Sequence, residues 1–104
     1  MVVISSQRFL NDDIIEQKVE QLKDVESVTL PIIFAGEYNG DKLYILIDGH
    51  HTYAAAKESG TKIQFEVFSK SERGYNNDWT LEETLDNLWN DSDYYNIETG
   101  YDYF

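Results

Sequence analysis

Residues 43–60 read LYILIDGHHTYAAAKESG and predict a buried strand, an abrupt turn and a helix that stops at a terminal glycine. The helix begins in polar, chargeable side chains. The first N–H groups of a helix have no partner within it and carry a partial positive charge, so this turn favours an anion such as a phosphate. The candidate phosphate-binding residues of the turn are Asp48, Gly49, His50, His51 and Thr52.

Two elements are predicted ahead of this stretch. Residues 2–4 are a short strand candidate, and apolar residues recur at helical spacing from about Asp12 to Lys23. Asp13 and Glu16 have the spacing of a capping box, which marks a helix start. The apolar stripe of this first helix comprises Ile14, Ile15, Val19 and Leu22.

A β-hairpin is predicted around the Asn39-Gly40 pair, which lies between two apolar runs. The first run covers residues 28–35 and contains Pro31, which cannot donate to a strand ladder and is expected at the strand start or on an edge. Polar residues beside the Asn-Gly pair favour a loop longer than two residues. Residues 63–67 alternate between apolar and polar side chains and predict a half-buried closing strand.

The composition changes after residue 68, where a polar linker begins. Thr80 and Glu83 form a second capping box, and an acidic tail dense in tyrosine follows Asn90. The apolar face of this last helix comprises Leu81, Leu85, Leu88 and Trp89. We therefore expect an α+β fold in a single domain. Residues 1–68 form a core of small mixed β-sheet with packed helices, and residues 69–104 add the linker, a docking helix and the acidic aromatic tail.

The composition limits the classes of protein to which the chain can belong. Its 104 residues, 41% of them hydrophobic, predict one folded domain, and the absence of cysteine excludes a disulfide framework or a thiolate metal site. The sequence shows neither a signal peptide nor a membrane-spanning run, so we expect a cytoplasmic protein without membrane contact. A net charge of −12 disfavours direct DNA binding and favours a basic protein partner.

The strand–turn–helix resembles the ParB/sulfiredoxin superfamily, which includes the N-terminal domains of chromosome-partitioning proteins, sulfiredoxins and free-serine kinases. The resemblance covers about residues 2–68 and implies a nucleotide site at the turn, for ATP or another nucleotide with Mg²⁺. Gly49 matches the turn glycine, and His51 matches the sulfiredoxin-type histidine. Thr52 stands where an arginine is usual, and His50 takes the place of the sulfiredoxin catalytic cysteine, which excludes sulfinic-acid reduction by the family mechanism.

Other candidate residues lie outside the turn. Arg8 has two interpretations, since it can reach the phosphate or pair with a carboxylate. His51 and Glu16 are weak catalytic candidates; a carboxylate acts as general base in the resembling serine kinases, while solvated surface is the other interpretation of Glu16. No metal site is predicted, because adjacent histidines on a helix point in different directions. The tail and last helix supply candidates for packing or partner binding, namely Trp89, Tyr94, Tyr95, Tyr101 and Tyr103.

Two functions from different classes follow from these observations. The first is nucleotide or phosphate binding at the turn, with phosphotransfer or NTP hydrolysis as a further step. The second is a non-catalytic acidic immunity or inhibitor protein that neutralises a basic toxin or nucleic-acid enzyme. A partitioning role on DNA is disfavoured by the charge and by the lack of room for further DNA-binding domains after residue 68.

Overall fold

A computed structural model describes residues 1–104, which form three α-helices and a five-stranded mixed sheet. The strands are β1 (Val2–Ser5), β2 (Ser27–Tyr38), β3 (Asp41–Leu46), β4 (Lys62–Phe68) and β5 (Tyr95–Asn96). The helices are α1 (Asp12–Gln21), α2 (His50–Ser59) and α3 (Leu81–Asn87), and a short 3₁₀ helix spans Ser71–Arg73. This architecture confirms the predicted α+β class.

The sheet has the strand order β4-β2-β3-β1-β5. Strands β1 and β3 are parallel, β2 and β4 are parallel, and β2 and β3 form an antiparallel hairpin. The order β1-α1-β2-β3-α2-β4 agrees with the prediction for the first 68 residues. The fifth strand was not predicted, because two residues are too short for a periodic signal; it comes from the tail and pairs with β1.

The two faces of the sheet are covered by different elements. On one face, α2 packs on a cluster that contains Val3, Leu30, Ile32 and Leu46, and α1 packs against α2. On the other face, α3 and the tail cover a cluster formed by Ile4, Ala35, Leu43, Ile45 and Tyr94. Successive residues of a strand point to opposite faces, which explains why neighbours in sequence belong to different clusters. Neither ten-residue helix nor the shorter α3 has the length and apolar character needed to cross a membrane.

The hairpin between β2 and β3 has a two-residue loop. Tyr38 pairs with Asp41, so the loop is Asn39-Gly40 alone, and both residues have positive φ (50° and 84°). Positive φ at both central positions is the signature of a type I′ turn, whose twist matches that of the flanking strands. The prediction of a longer loop was therefore wrong, because the polar flanking residues continue the ladder.

Pro31 lies in the middle of β2, an interior strand, which contradicts its predicted place at a strand start or edge. Its carbonyl accepts a hydrogen bond from the N–H of Ile47 at 3.4 Å. The N–H and C=O of one strand residue point to the same side, so the missing N–H of Pro31 also faces the β3 side. Strand β3 ends at Leu46, so the one bond that Pro31 cannot make falls at the end of the ladder and the pairs from Ile32 onward are kept.

The helix starts are set by short polar contacts. The N-cap of α1 is Asn11, whose side chain accepts from the N–H groups of Asp13 and Ile14, so the predicted Asp13–Glu16 capping box was wrong. Ile14 is 38% exposed, whereas Ile15 and Val19 of the predicted stripe are partly buried against Leu22, Ala55 and Ala56. The second capping box, at the start of α3, is confirmed by reciprocal bonds between Thr80 and Glu83.

Candidate functional site

The turn before α2 requires glycine at position 49. Gly49 has φ 82°, and a Cβ placed there would lie 2.7 Å from Cδ2 of Leu30. Its N–H donates to the Asp48 carboxylate at 2.8 Å. No side chain caps α2, and the N–H groups of His50, His51 and Thr52 have no hydrogen-bond partner in the structure. The helix start therefore presents free donors, as predicted.

A polar cleft of about 580 Å³ lies beside this turn. It exists because β2 has 12 residues and β3 has 6, so the start of β2 runs past the end of β3. Gln7, Lys18, Thr29 and Thr52 are among the polar residues that line the cleft together with the turn itself. Lys18 is the one cation among the lining residues and Asp48 the one carboxylate, so the cleft is less acidic than the chain as a whole.

His50 points away from the helix axis toward the end of β1. Its Nε2 lies 2.7 Å from Oγ of Ser5, whose side chain is almost fully buried. Burial lowers the pKa of His50, and the nearby Asp48 carboxylate opposes this shift. His50 is therefore neutral at pH 7 and supplies no positive charge to the cleft.

His51 connects α2 to the start of α1. Its Nε2 accepts a hydrogen bond from the backbone N–H of Asn11 at 3.0 Å. A nitrogen that accepts a hydrogen bond carries no hydrogen, so the proton of the neutral ring lies on Nδ1. Accordingly, His51 can offer a ligand the N–H at Nδ1 but no free nitrogen at Nε2.

Two of the predicted site residues lie elsewhere. The Arg8 guanidinium donates to the Gly100 carbonyl and the Asp102 carboxylate, each at 3.0 Å, and stacks 4.0 Å from the centre of the Tyr95 ring. Of its two interpretations, the structure therefore favours pairing with a carboxylate. Glu16 is exposed on α1 and does not line the cleft.

Sequence reasoning missed Lys18 as a cleft residue. Lys18 lies two helical turns after Asn11, on the side of α1 that faces α2, where Asn11 contacts His51. That spacing is visible in the sequence. However, it points to the cleft only once the packing of α1 against α2 is known.

A second candidate site is a groove of about 540 Å³ between α3 and the tail, called here the acidic-aromatic groove. It is lined by Leu85, Asp86, Trp89, Asp93, Tyr94, Asp102 and Phe104. Trp89 is 57% exposed and Phe104 is 55% exposed, whereas Asp102 also pairs with Arg8. Phe104 was not among the sequence candidates, because a terminal residue carries no periodic signal.

The tail tyrosines differ in their environments. Tyr94 is buried and donates to the Leu85 carbonyl at 2.7 Å, and burial raises its pKa to about 12. Tyr95 donates to the Gln7 carbonyl at 2.6 Å, and Tyr103 donates to the Asp41 carboxylate at 2.7 Å. Tyr101 is 78% exposed. Packing thus accounts for Tyr94 and Tyr95, while Trp89 and Tyr101 are free to contact a partner.

No group of three or more histidine, aspartate or glutamate side chains is arranged to hold a metal ion. Comparisons with protein-family models, curated proteins and solved structures find no match to this chain. The residues of the polar cleft and of the acidic-aromatic groove are therefore the features that indicate what the protein binds.

Proposed function

We propose that the polar cleft at the start of α2 binds the phosphate group of a small ligand such as a nucleotide, in a ParB/sulfiredoxin-like domain. The observation that carries this proposal is the set of donors that share the cleft. The N–H groups of His50, His51 and Thr52 are unpaired, and Thr52 and Lys18, which carry a hydroxyl and an ammonium group, line the cleft. Such donors at a helix start suit a phosphate oxygen.

The candidate catalytic groups of the cleft are already engaged, so the cleft is proposed to bind its ligand without turning it over. Nε2 of His51 is engaged with the Asn11 N–H, and Nε2 of His50 is engaged with Ser5. The Asp48 carboxylate accepts from the Gly49 N–H. Each candidate base in the cleft thus already holds a partner within the protein. A nucleotide carrying Mg²⁺ would enter with part of its charge neutralised, which suits a protein of net charge −12.

Calorimetry with ATP, ADP, CTP and inorganic phosphate, each with and without Mg²⁺, tests this proposal. We expect Lys18→Met to weaken binding about tenfold or more, since a charge-assisted hydrogen bond contributes roughly 1.5–3 kcal/mol. Lys23→Met is the matched control, because Lys23 lies just after the end of the same helix but pairs with Glu20 outside the cleft. Absence of binding at millimolar ligand, or equal losses in both variants, would refute the proposal.

A second candidate function is binding of a basic protein partner at the acidic-aromatic groove, as an immunity or inhibitor protein would do. Three carboxylates, those of Asp86, Asp93 and Asp102, surround the exposed rings of Trp89 and Phe104. Carboxylates beside aromatic faces are complementary to arginine, which combines charge pairing with stacking on a ring. Tryptophan and arginine are also the side chains most often dominant in interfaces.

Titration with an arginine-rich peptide and a lysine-rich peptide of equal charge tests this second function. We expect Asp86→Asn with Asp93→Asn to weaken arginine-peptide binding more than the control pair Asp24→Asn with Glu58→Gln. The control residues are exposed carboxylates outside the groove, so both pairs change the net charge equally. If the two pairs behave alike, the attraction is a property of net charge and the groove is not the site.

A further inference from the structure

The two edge strands of the sheet differ in whether another segment of the chain pairs with them. At the β5 edge the tail folds back: Tyr95 bridges to Asp102, and the Asn96 N–H donates to the Tyr101 carbonyl at 2.9 Å. At the opposite edge, β4 is the last strand of the sheet and pairs with β2 alone. The protein thus closes one edge with its own chain and leaves a seven-residue strand open at the other.

The open edge presents regularly spaced backbone groups. The Lys62 N–H donates to the Glu26 carbonyl at 3.2 Å, so the backbone of Lys62 faces inward, toward β2. Successive residues of a strand alternate in direction, and the N–H and C=O groups of Ile63, Phe65 and Val67 therefore point outward. None of these outward N–H groups has a partner in the structure. An open edge of this kind is a template for another strand.

We propose that β4 is a self-association edge, at which a second copy of this chain pairs antiparallel about Gln64. In this register Gln64 faces its own counterpart, Ile63 faces Phe65, and Lys62 faces Glu66. The outward backbone groups of Ile63 and Phe65 then meet as hydrogen-bonded pairs, while Gln64 forms the non-hydrogen-bonded pair on the two-fold axis.

Side chains select this register. It places the Lys62 ammonium opposite the Glu66 carboxylate twice, and opposite charges in directly facing positions stabilise a strand pair. A shift by two residues in either direction places Lys62 opposite Phe68 or Gln64, and both charge pairs are lost. On the α2 face, the half-buried Ile63 and Phe65 would cover one another across the axis.

The charge of the chain sets the conditions under which the dimer forms. Each copy carries a net charge of −12, so two copies repel each other at low ionic strength. At 0.15 M salt the Debye length is about 8 Å, which screens this long-range repulsion more than the direct contact between Lys62 and Glu66. Association is therefore expected to rise with protein concentration and with salt up to the physiological range.

A single introduced cysteine tests the register, because the natural chain contains no cysteine. Directly opposed residues of a non-hydrogen-bonded pair have Cα atoms about 4.5 Å apart, within disulfide range. Gln64→Cys is therefore expected to form a disulfide dimer under mild oxidation. Glu66→Cys is the matched control on the same face, since its two copies would lie roughly 14 Å apart. Equal crosslinking of the two variants, or none, would overturn the proposal.

Charge reversal provides an independent test by sedimentation equilibrium at 0.15 M salt. Lys62→Glu is expected to weaken the dimer at least tenfold, because two carboxylates would then face each other in both pairs. Adding Glu66→Lys is expected to restore it, since the pairs become opposite again. Both positions are exposed, so the folded state is retained and is checked by circular dichroism. A natural chain that stays monomeric at all concentrations, or a double variant no better than the single one, would overturn the proposal.

Discussion

Substitution of Gly49 by alanine separates two physical requirements at the turn before α2. The residue has φ 82°, a conformation that disfavours side chains by about 1–2 kcal/mol. The new methyl would also meet Cδ2 of Leu30 at 2.7 Å. Leu30 is 5% exposed and packs in the core beside Ile32 and Leu46, so it cannot move aside freely. Such overpacking typically adds about 1–3 kcal/mol.

Gly60→Ala is the matched control for the cost of placing a side chain on a residue with positive φ. Gly60 has φ 74°, close to the value at Gly49, but a Cβ there meets nothing within 4 Å. The strain is partly offset in both variants, because alanine reduces the conformational entropy of the unfolded chain by about 0.4–1 kcal/mol. We therefore expect Gly60→Ala to lose about 1 kcal/mol of unfolding free energy and Gly49→Ala about 2–4 kcal/mol.

Urea unfolding followed by circular dichroism and tryptophan fluorescence measures this difference. A gap of about 2 kcal/mol between the two variants corresponds to a difference of roughly 1.3 M in the urea midpoint, for an m-value of about 1.5 kcal/mol/M. In a Leu30→Val background the methyl contact is relieved, and Gly49→Ala should then cost no more than Gly60→Ala. Equal losses for Gly49→Ala and Gly60→Ala in the natural background would refute the steric part of the reasoning.

Three further predictions concern the histidine, the tail and the last helix. Burial lowers the pKa of His50, so the unfolded state binds more protons below about pH 6.5 and stability falls on acidification. The melting temperature of His50→Gln should therefore fall less between pH 7.5 and 5.5. Tyr94→Phe leaves the partly buried Leu85 carbonyl without its Tyr94 partner and should lose about 1–2 kcal/mol in urea unfolding. Because the pKa of Tyr94 is raised to about 12, its contribution is present below pH 10 and lost as pH approaches 12, so the variant's alkaline stability profile should be flatter. Thr80→Ala removes the α3 cap and should lose about 1 kcal/mol by the same assay, with no change in phosphate binding.

Several features of the fold could be predicted because their causes are local. The position of the hairpin at Asn39-Gly40, though not its loop length, the stop of α2 at Gly60 and the Thr80–Glu83 capping box each depend on residues within a few positions of one another. The errors arose where local signals compete. Asn11 and Asp13 both suit a helix cap, and Pro31 is tolerated inside the sheet because the neighbouring strand ends beside it.

The candidate site could be predicted in part. Gly49 and the unpaired N–H groups of α2 follow from the strand–turn–helix pattern of residues 43–60. The hydrogen-bond partners of the two histidines do not follow from that pattern. His50 contacts Ser5 and His51 contacts Asn11, which lie 45 and 40 positions away along the chain. These contacts engage one nitrogen of each ring within the fold, and Lys18 is the lysine that lines the cleft.

The sequence by itself determined the order of the elements, the glycine turn and the acidity of the tail, because periodicity, φ preference and charge are properties of neighbouring residues. Tertiary structure alone decided where the tail lies. Arg8 binds Gly100 and Asp102, 92 and 94 residues away, and β5 closes the sheet edge beside β1. The same packing left β4 as the open edge. Such pairings depend on which surfaces meet when the sheet and helices assemble, and no local pattern in the chain encodes them.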